Sequence, residues 1–411
     1  MHIFKKVPSL LLILVLLGPA PALAASNQEL ERRLNILAEE VNQLKNSNTQ
    51  SSGELSSHSG LGYSASKVYG VQKGLSIGAY GEVIYTNKRS KREDGTKASH
   101  ATNPKVDTLR AVIYLGYKFN PKWVFNSEIE IEHANEIFTE FAYMDYLHSE
   151  KLNFRAGLIL NPVGLVNEFH EPTTFLSVNR PEIEQKIIPS TWRENGLGVY
   201  GTLGGFSYKA YLINGLKADG FSSDGVRGGR KKGSQAEAGD LAQVARIDYT
   251  GISNLVVGAS GYYGRAGGTF ASVDHSLWDL HADWTFKGLK MRALYVNSSV
   301  DAGDLSRELG LTGEDTVGEK LTGYYTEVAY NVLRNFSDSQ LFPFIRYENY
   351  NTQDKVPTGF TKDLSKDRTN ITYGLMLKPI ERIAFKLDYV KGKNKAKTGN
   401  DSWNLGMAWH F

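Results

Sequence analysis

The chain has 411 residues, with 41 Gly, 22 Tyr, 18 Phe and no Cys, and a formal charge of +3 at neutral pH. The lack of cysteine excludes a disulfide framework, a thiolate-ligated metal and a lipoprotein anchor, and the small net charge argues against whole-molecule attraction to nucleic acid. A hydrophobic fraction of 41%, rich in aromatics, suits one large repetitive structure better than several soluble domains.

Residues 1–24 are expected to be a signal peptide. Lys5 and Lys6 precede the apolar run Leu10 to Leu17, and Pro19 and Pro21 lead to Ala22-Leu23-Ala24, with cleavage after Ala24. The run is much shorter than the roughly 20 residues of a spanning helix, and no later segment is apolar enough to span as one. In residues 25–45, Leu30, Leu34, Leu37, Val41 and Leu44 follow a 4-3-4-3 spacing that places them on one helical seam. This predicts a short coiled coil, which would make the protein oligomeric; a lone amphipathic helix packed on the rest of the chain is the alternative. Residues 46–73, rich in Ser, Gly and Asn, read as a flexible linker.

From residue 74 to 411 the pattern has period two. In the last run Trp403, Leu405, Met407, Trp409 and Phe411 alternate with Ser402, Asn404, Gly406, Ala408 and His410. One face is wholly apolar and the other is not, as lipid outside and water inside require. Glu128, Glu130 and Glu132 recur at strand period around Ile129 and Ile131; charges so placed cannot face hydrocarbon but can face a wet interior. Sixteen such runs begin near Leu75, Leu109, Trp123, Ile137, Leu152, Leu197, Phe206, Leu241, Leu255, Leu277, Leu289, Leu321, Leu341, Asn370, Arg382 and Ser402. Their connections alternate. Short turns such as Asn120-Pro121-Lys122, Gly204-Gly205 and Lys287-Gly288 are separated by long polar segments, among them 87–107, 161–195, 215–240, 351–368 and 392–400. The fold class expected is all-β: a sixteen-stranded antiparallel transmembrane β-barrel of the outer membrane, preceded by a short coiled-coil helix.

A barrel of sixteen strands leaves an aqueous channel rather than a filled core. The third outer connection is the longest and the least loop-like, with Glu168, Glu171, Arg180, Glu182, Glu184, Lys186, Arg193 and Glu194 set among apolar residues. It is expected to fold inward as a constriction whose facing charges set up a transverse field. Strand parity assigns to the pore lining the acids Glu82, Glu128, Glu130, Glu132, Asp279, Asp283, Glu348 and Asp388. The bases on the same face are Arg110, Lys118, Arg155, Lys209, Arg246, Arg292, Arg346 and Lys386. The two signs nearly balance, so strong ion selectivity does not follow. Basic clusters in the outer loops, such as Arg227, Arg230, Lys231 and Lys232, would draw anions or bind the phosphates of surface lipopolysaccharide.

No enzyme is expected. Gly74-Leu75-Ser76-Ile77-Gly78 and Gly196-Leu197-Gly198-Val199-Tyr200-Gly201 match a nucleophile elbow and a dinucleotide fingerprint, but both fall within strand runs. An outer-membrane phospholipase would need a serine and a histidine paired on one barrel face, which the pattern does not supply. His281 lies near Asp279 and Asp283 on one strand face, read as a hydrated wall; no metal and no cofactor is expected.

These features resemble the general porin superfamily, and most closely its phosphate-selective porin O/P-like group. The resemblance rests on the heptad Leu30 to Leu44 and the terminal Phe411. It rests also on the third-loop strings Asn161-Pro162-Val163-Gly164, Asn179-Arg180-Pro181 and Ile188-Pro189-Ser190-Thr191-Trp192-Arg193. It implies a homotrimer, passive diffusion of small hydrophilic solutes or ions, and recognition of Phe411 as an assembly signal by the barrel-assembly machinery. Phosphate-specific members carry an arginine ladder down the pore, whereas this lining interleaves as many acids as bases, so the architecture is carried over and the substrate is not. A porin-like sheath around a partner such as an electron-conduit cytochrome is the alternative function.

Overall fold

The computed structural model describes residues 31–33, 35, 56–98, 103–269 and 273–411. The expected signal peptide lies outside these residues, and so does most of the heptad segment, of which 31–33 and 35 are helical.

The strands are β1 (Gly74–Lys88), β2 (Lys105–Lys118), β3 (Trp123–Glu132), β4 (Glu136–Ser149), β5 (Leu152–Leu160), β6 (Arg193–Leu203), β7 (Phe206–Asn214) and β8 (Leu241–Tyr249). They continue as β9 (Leu255–Ala266), β10 (Val273–Phe286), β11 (Leu289–Val300), β12 (Lys320–Tyr330), β13 (Gln340–Lys355), β14 (Asp367–Ile380), β15 (Ile383–Asn394) and β16 (Ser402–His410). Each pairs antiparallel with the next, and β1 closes on β16 from Tyr80↔His410 to Lys88↔Ser402, giving a sixteen-stranded closed barrel. Closure leaves no strand edge with unpaired backbone groups, the condition for crossing lipid with strands. Each strand begins within four residues of its expected start. Among the boundaries that differ from expectation, Arg193 and Glu194 open β6 instead of closing the third loop, β13 runs on to Lys355, and β15 to Asn394.

The burial pattern is inverted relative to a soluble protein. On β16, Leu405 is 48% exposed while its neighbour Asn404 is 1% exposed, and on β10 Trp278 and Leu280 are exposed while Asp279 and His281 are buried. Among the described residues no helix is long and apolar enough to cross a membrane. A closed barrel with an apolar outer face and a polar inner one is a protein of the outer membrane. At one end the hairpins are tight. Gly204 and Gly205, like Lys287 and Gly288, adopt positive φ at both central positions, the geometry whose twist matches that of the flanking strands.

Residues 56–73 correct an expectation. Rather than extending a flexible linker, they enter the barrel at the tight-turn end, where helix α1 (Tyr63–Gly70) lies against the inner faces of β1, β2 and β3. Both helix ends are satisfied. The Glu171 carboxylate accepts from Ser64 N (2.7 Å) and Ala65 N (3.4 Å), and Lys118 Nζ donates to the Tyr69 carbonyl (2.9 Å). Ser64, Ala65 and Ser66 are buried, and their small size is what lets the helix approach the wall. The wall meets it with Gly116, where an added Cβ would lie 2.6 Å from the Val68 side chain. Gly116→Leu is therefore expected to expel α1 while leaving the barrel closed, which limited proteolysis within residues 56–73 reports; protection equal to wild type would contradict this docking.

Candidate functional site

The third outer connection, residues 161–192, leaves β5 and returns into β6. Its base is a hydrogen-bonded clasp: Asn161 N donates to the Trp192 carbonyl (2.9 Å), Asn167 Nδ2 donates to the carbonyls of Asn161 (2.7 Å) and Trp192 (2.9 Å), and Trp192 N donates to Asn167 Oδ1 (2.8 Å). Ile183, Ile187, Ile188 and Trp192 are fully buried and share a core with Leu294, Val296, Leu321 and Tyr325 of the wall. The apolar residues that make this segment unlike a loop thus hold it inside the barrel.

Its polar groups are tied to strands all around the interior. Glu168 pairs with Lys209 of β7, and Thr173 with His410 of β16 (2.7 Å). Gly164 donates to Asp279 of β10 (3.1 Å), and its carbonyl accepts from Arg246 of β8. Glu184 accepts from Tyr325 of β12 (2.7 Å) and, through its other oxygen, from Leu165 N and Val166 N (2.8 Å each). Glu182 accepts from Tyr350 and Ile183 N donates to Glu348 (3.3 Å), both on β13. On β15, Asp388 accepts from Val178 N (2.6 Å) and Lys386 donates to the carbonyls of Pro172 (2.5 Å) and Ser177 (2.9 Å). Burial raises the carboxyl of Glu184, and that of Glu171 to about 7 in spite of the two N–H groups of α1.

Most residues assigned to the lining are buried in such contacts, not spread along a hydrated wall. Arg110 pairs with Glu82 (2.5 Å) and Glu130 (3.9 Å), Arg155 with Asp145 (2.8 Å), and Arg346 with Glu327 (3.2 Å) and Glu348 (3.0 Å). Arg292 pairs with Asp283 (2.6 Å), leaving His281 between Asp279 (2.6 Å) and Asp248 (2.8 Å) rather than beside Asp283. Glu132 is half-buried near the barrel mouth, 3.9 Å from His133. Of the loop charges, Lys186 is half-buried, and Glu194 on β6 accepts from Asn214 Nδ2 (2.6 Å) and Lys231 N (2.9 Å).

The lining assignment missed Glu140 and Asp145 of β4, and the loop reading missed His170. At Glu140 a register shift in the β3–β4 pairing sets Glu128 opposite Phe141 and Ile129 opposite Thr139, so Glu140 and Phe141 are both buried. Glu140 pairs with Arg193 (2.7 Å). His170 Nε2 lies 3.0 Å from Glu128 and 3.9 Å from Glu140. Burial disfavours its charge, but the two carboxylates outweigh that and hold the imidazole up to about 9.

Between the third loop and the wall of β1 to β4 lies a cavity of about 230 Å³. Its lining carries six basic groups, Arg110, Arg180, Arg193, Arg227, Arg230 and Lys232, and four acidic ones, Glu82, Glu130, Glu132 and Glu140. The fourth outer connection reaches in to supply part of it: Arg230 Nη1 donates to the carbonyls of Ser190 (2.8 Å) and Thr191 (3.0 Å). Burial and a neighbouring arginine lower both Arg227 and Arg230 to about 10, so both stay charged at neutral pH. Arg180 Nε and Nη2 are buried with no acceptor among the described residues.

No family model matches the chain. Among solved structures it is similar to the anion-selective porin from Comamonas acidovorans (TM-score 0.55, 12% identity, covering 83% of this chain and 100% of that one). It is similar also to Salmonella typhi OmpF in complex with daunomycin (TM-score 0.53, 14% identity, 82% and 98%) and to the outer membrane channel DcaP of Acinetobacter baumannii (TM-score 0.53, 10% identity, 83% and 98%). At these identities the likeness is one of fold. An uncharacterised protein of Aquifex aeolicus (strain VF5) is 39% identical over 376 residues, covering 86% of this chain and 84% of that protein. The chain belongs to the same family as this Aquifex aeolicus protein, and it has the barrel fold of the outer-membrane porins.

Proposed function

We propose that the chain is a porin: a channel for passive diffusion of small hydrophilic solutes or ions, narrowed by the inward-folded third loop, with anions favoured at the narrowing. The observation that carries this reading is the cavity beside the loop, where six basic groups stand among four acidic ones and Arg180 has buried donors with no acceptor among the described residues. A charged lining in a low-dielectric wall orients polar solutes, and the basic excess lowers the barrier for anions. Removing that excess without touching the ion pairs is the test. In Arg180→Gln/Lys232→Gln, zero-current potentials in a salt gradient across a planar bilayer are expected to shift toward cations, and an unchanged potential would count against the cavity as the passage.

Within the porins we assign the chain to the phosphate-selective O/P-like group by its heptad and third loop, without phosphate preference. A continuous arginine ladder would need free guanidinium groups along the wall, and Arg110, Arg155, Arg292 and Arg346 are each held by a carboxylate. The remaining elements of this reading are an exported precursor, a homotrimer associated through the heptad segment, Phe411 as the assembly signal and lipopolysaccharide on the basic outer loops. The alternative of a sheath around a cytochrome gains no support, because the barrel interior is occupied by the chain's own third loop and residues 56–73.

A further inference from the structure

We propose that Glu128, Glu140 and His170 form a binding site for a divalent transition-metal ion of the zinc class, which clasps the third loop to the wall at β3 and β4. One ligand atom from each, an imidazole nitrogen and two carboxylate oxygens, lie within 4.8 Å of one another, and the residues are 0%, 1% and 2% exposed. Their spacing suits a small ion. Ligands bound at about 2.0–2.1 Å in tetrahedral geometry sit roughly 3.3 Å apart, and His170 Nε2 lies 3.0 Å from Glu128 Oε1 and 3.9 Å from Glu140 Oε2.

The surroundings set the donors as a metal would need them. His170 Nδ1 lies 2.8 Å from the Asn167 carbonyl, which can only accept, so Nδ1 carries a proton and Nε2 is the nitrogen turned toward the carboxylates. Tyr80 donates to Glu128 Oε1 (2.8 Å) and fixes its orientation. Two oxygens are left over: Glu128 Oε2 and Glu140 Oε2 are buried and accept from no donor among the described residues. A buried carboxylate oxygen without a partner costs free energy that a bound cation would offset.

Glu130 lies against Glu140, so four carboxylates (Glu82, Glu128, Glu130, Glu140) gather here, with Arg110 and Arg193 paired directly to three of them, Glu82, Glu130 and Glu140. One imidazole with two carboxylates is a donor set for zinc and its first-row neighbours rather than for calcium or magnesium, which take oxygen alone. Glu140 lines the cavity, which provides a path for the ion and room for a water as fourth ligand.

The site does not rest on the channel reading, and its test reads binding instead of conduction. The full mature chain, folded in detergent and stripped with a chelator, is titrated with Zn²⁺ alone in a calorimeter near neutral pH. One Zn²⁺ per chain is expected, with affinity at least about tenfold weaker in both His170→Ala and Glu140→Gln and unchanged in His133→Ala at the exposed His133–Asp107 pair. Absence of saturable binding to the unaltered protein overturns the proposal whatever the variants do. Equal affinity in His170→Ala and Glu140→Gln, or loss in His133→Ala alone, places the ion elsewhere and overturns it as well.

Discussion

Deleting residues 56–73 is expected to raise single-channel conductance severalfold while leaving the barrel intact. The deleted stretch holds α1, which lies inside the tight-turn end of the barrel and is docked beneath the third loop through Glu171. A helix with its side chains is about 10 Å across, a large share of the width that sixteen strands enclose. The barrel should tolerate the loss because none of its sixteen strand pairings uses a residue before Gly74. Current steps in a planar bilayer measure the effect, and circular dichroism checks that strand content is retained. Unchanged conductance in a folded variant would mean that the route for ions does not pass α1.

Arg155→Ala is expected to lower stability by about 3–5 kcal/mol, the cost of breaking a buried ion pair from one side. Arg155 grips Asp145 with two parallel bonds, Nε to Oδ1 at 2.8 Å and Nη2 to Oδ2 at 2.9 Å, and stacks 3.9 Å from the centroid of Tyr143. Asp145 has no exposure and also accepts from Tyr69 (2.7 Å) and Tyr200 (2.6 Å). Tyr69 belongs to α1 and stacks on His58, with ring centroids 3.6 Å apart, so the pair joins the wall to the inserted segment. Alanine would leave the Asp145 charge buried and opposed only by neutral hydroxyls. The double variant Arg155→Leu/Asp145→Leu should recover most of the loss, because removing both charges also removes their desolvation cost. Urea unfolding of the detergent-folded protein measures both; a loss below about 1 kcal/mol in Arg155→Ala, the range of exposed pairs, would show that water reaches Asp145.

The wall was legible in the sequence because hydrocarbon and interior impose opposite demands on alternate residues. The Trp403 to Phe411 ladder and the Glu128, Glu130, Glu132 series each show that alternation in a single strand. What lies inside the barrel was less so. Residues 63–70 have a composition that also suits a linker, yet the helix packs closely on the wall, Ser64 against Gly78 and Val68 against Gly116. The third loop stood out by its apolar content, but many of its charges are bound to the wall. Glu182 and Glu184 hydrogen-bond wall tyrosines, a pairing between residues more than a hundred positions apart. Asp145 escaped because the bulge after Glu140 reverses the parity that Ile137 sets, and His170 because a lone histidine in a loop has no period at all.

The membrane-inserted barrel is expected to keep a narrow charged passage beside the loop that crosses its interior. It is read from the single-channel current of the purified protein in planar bilayers of neutral lipid. Small, discrete steps with a zero-current potential favouring anions are expected. A folded, inserted protein that passes no current, or one whose large conductance is indifferent to ion charge, would contradict it.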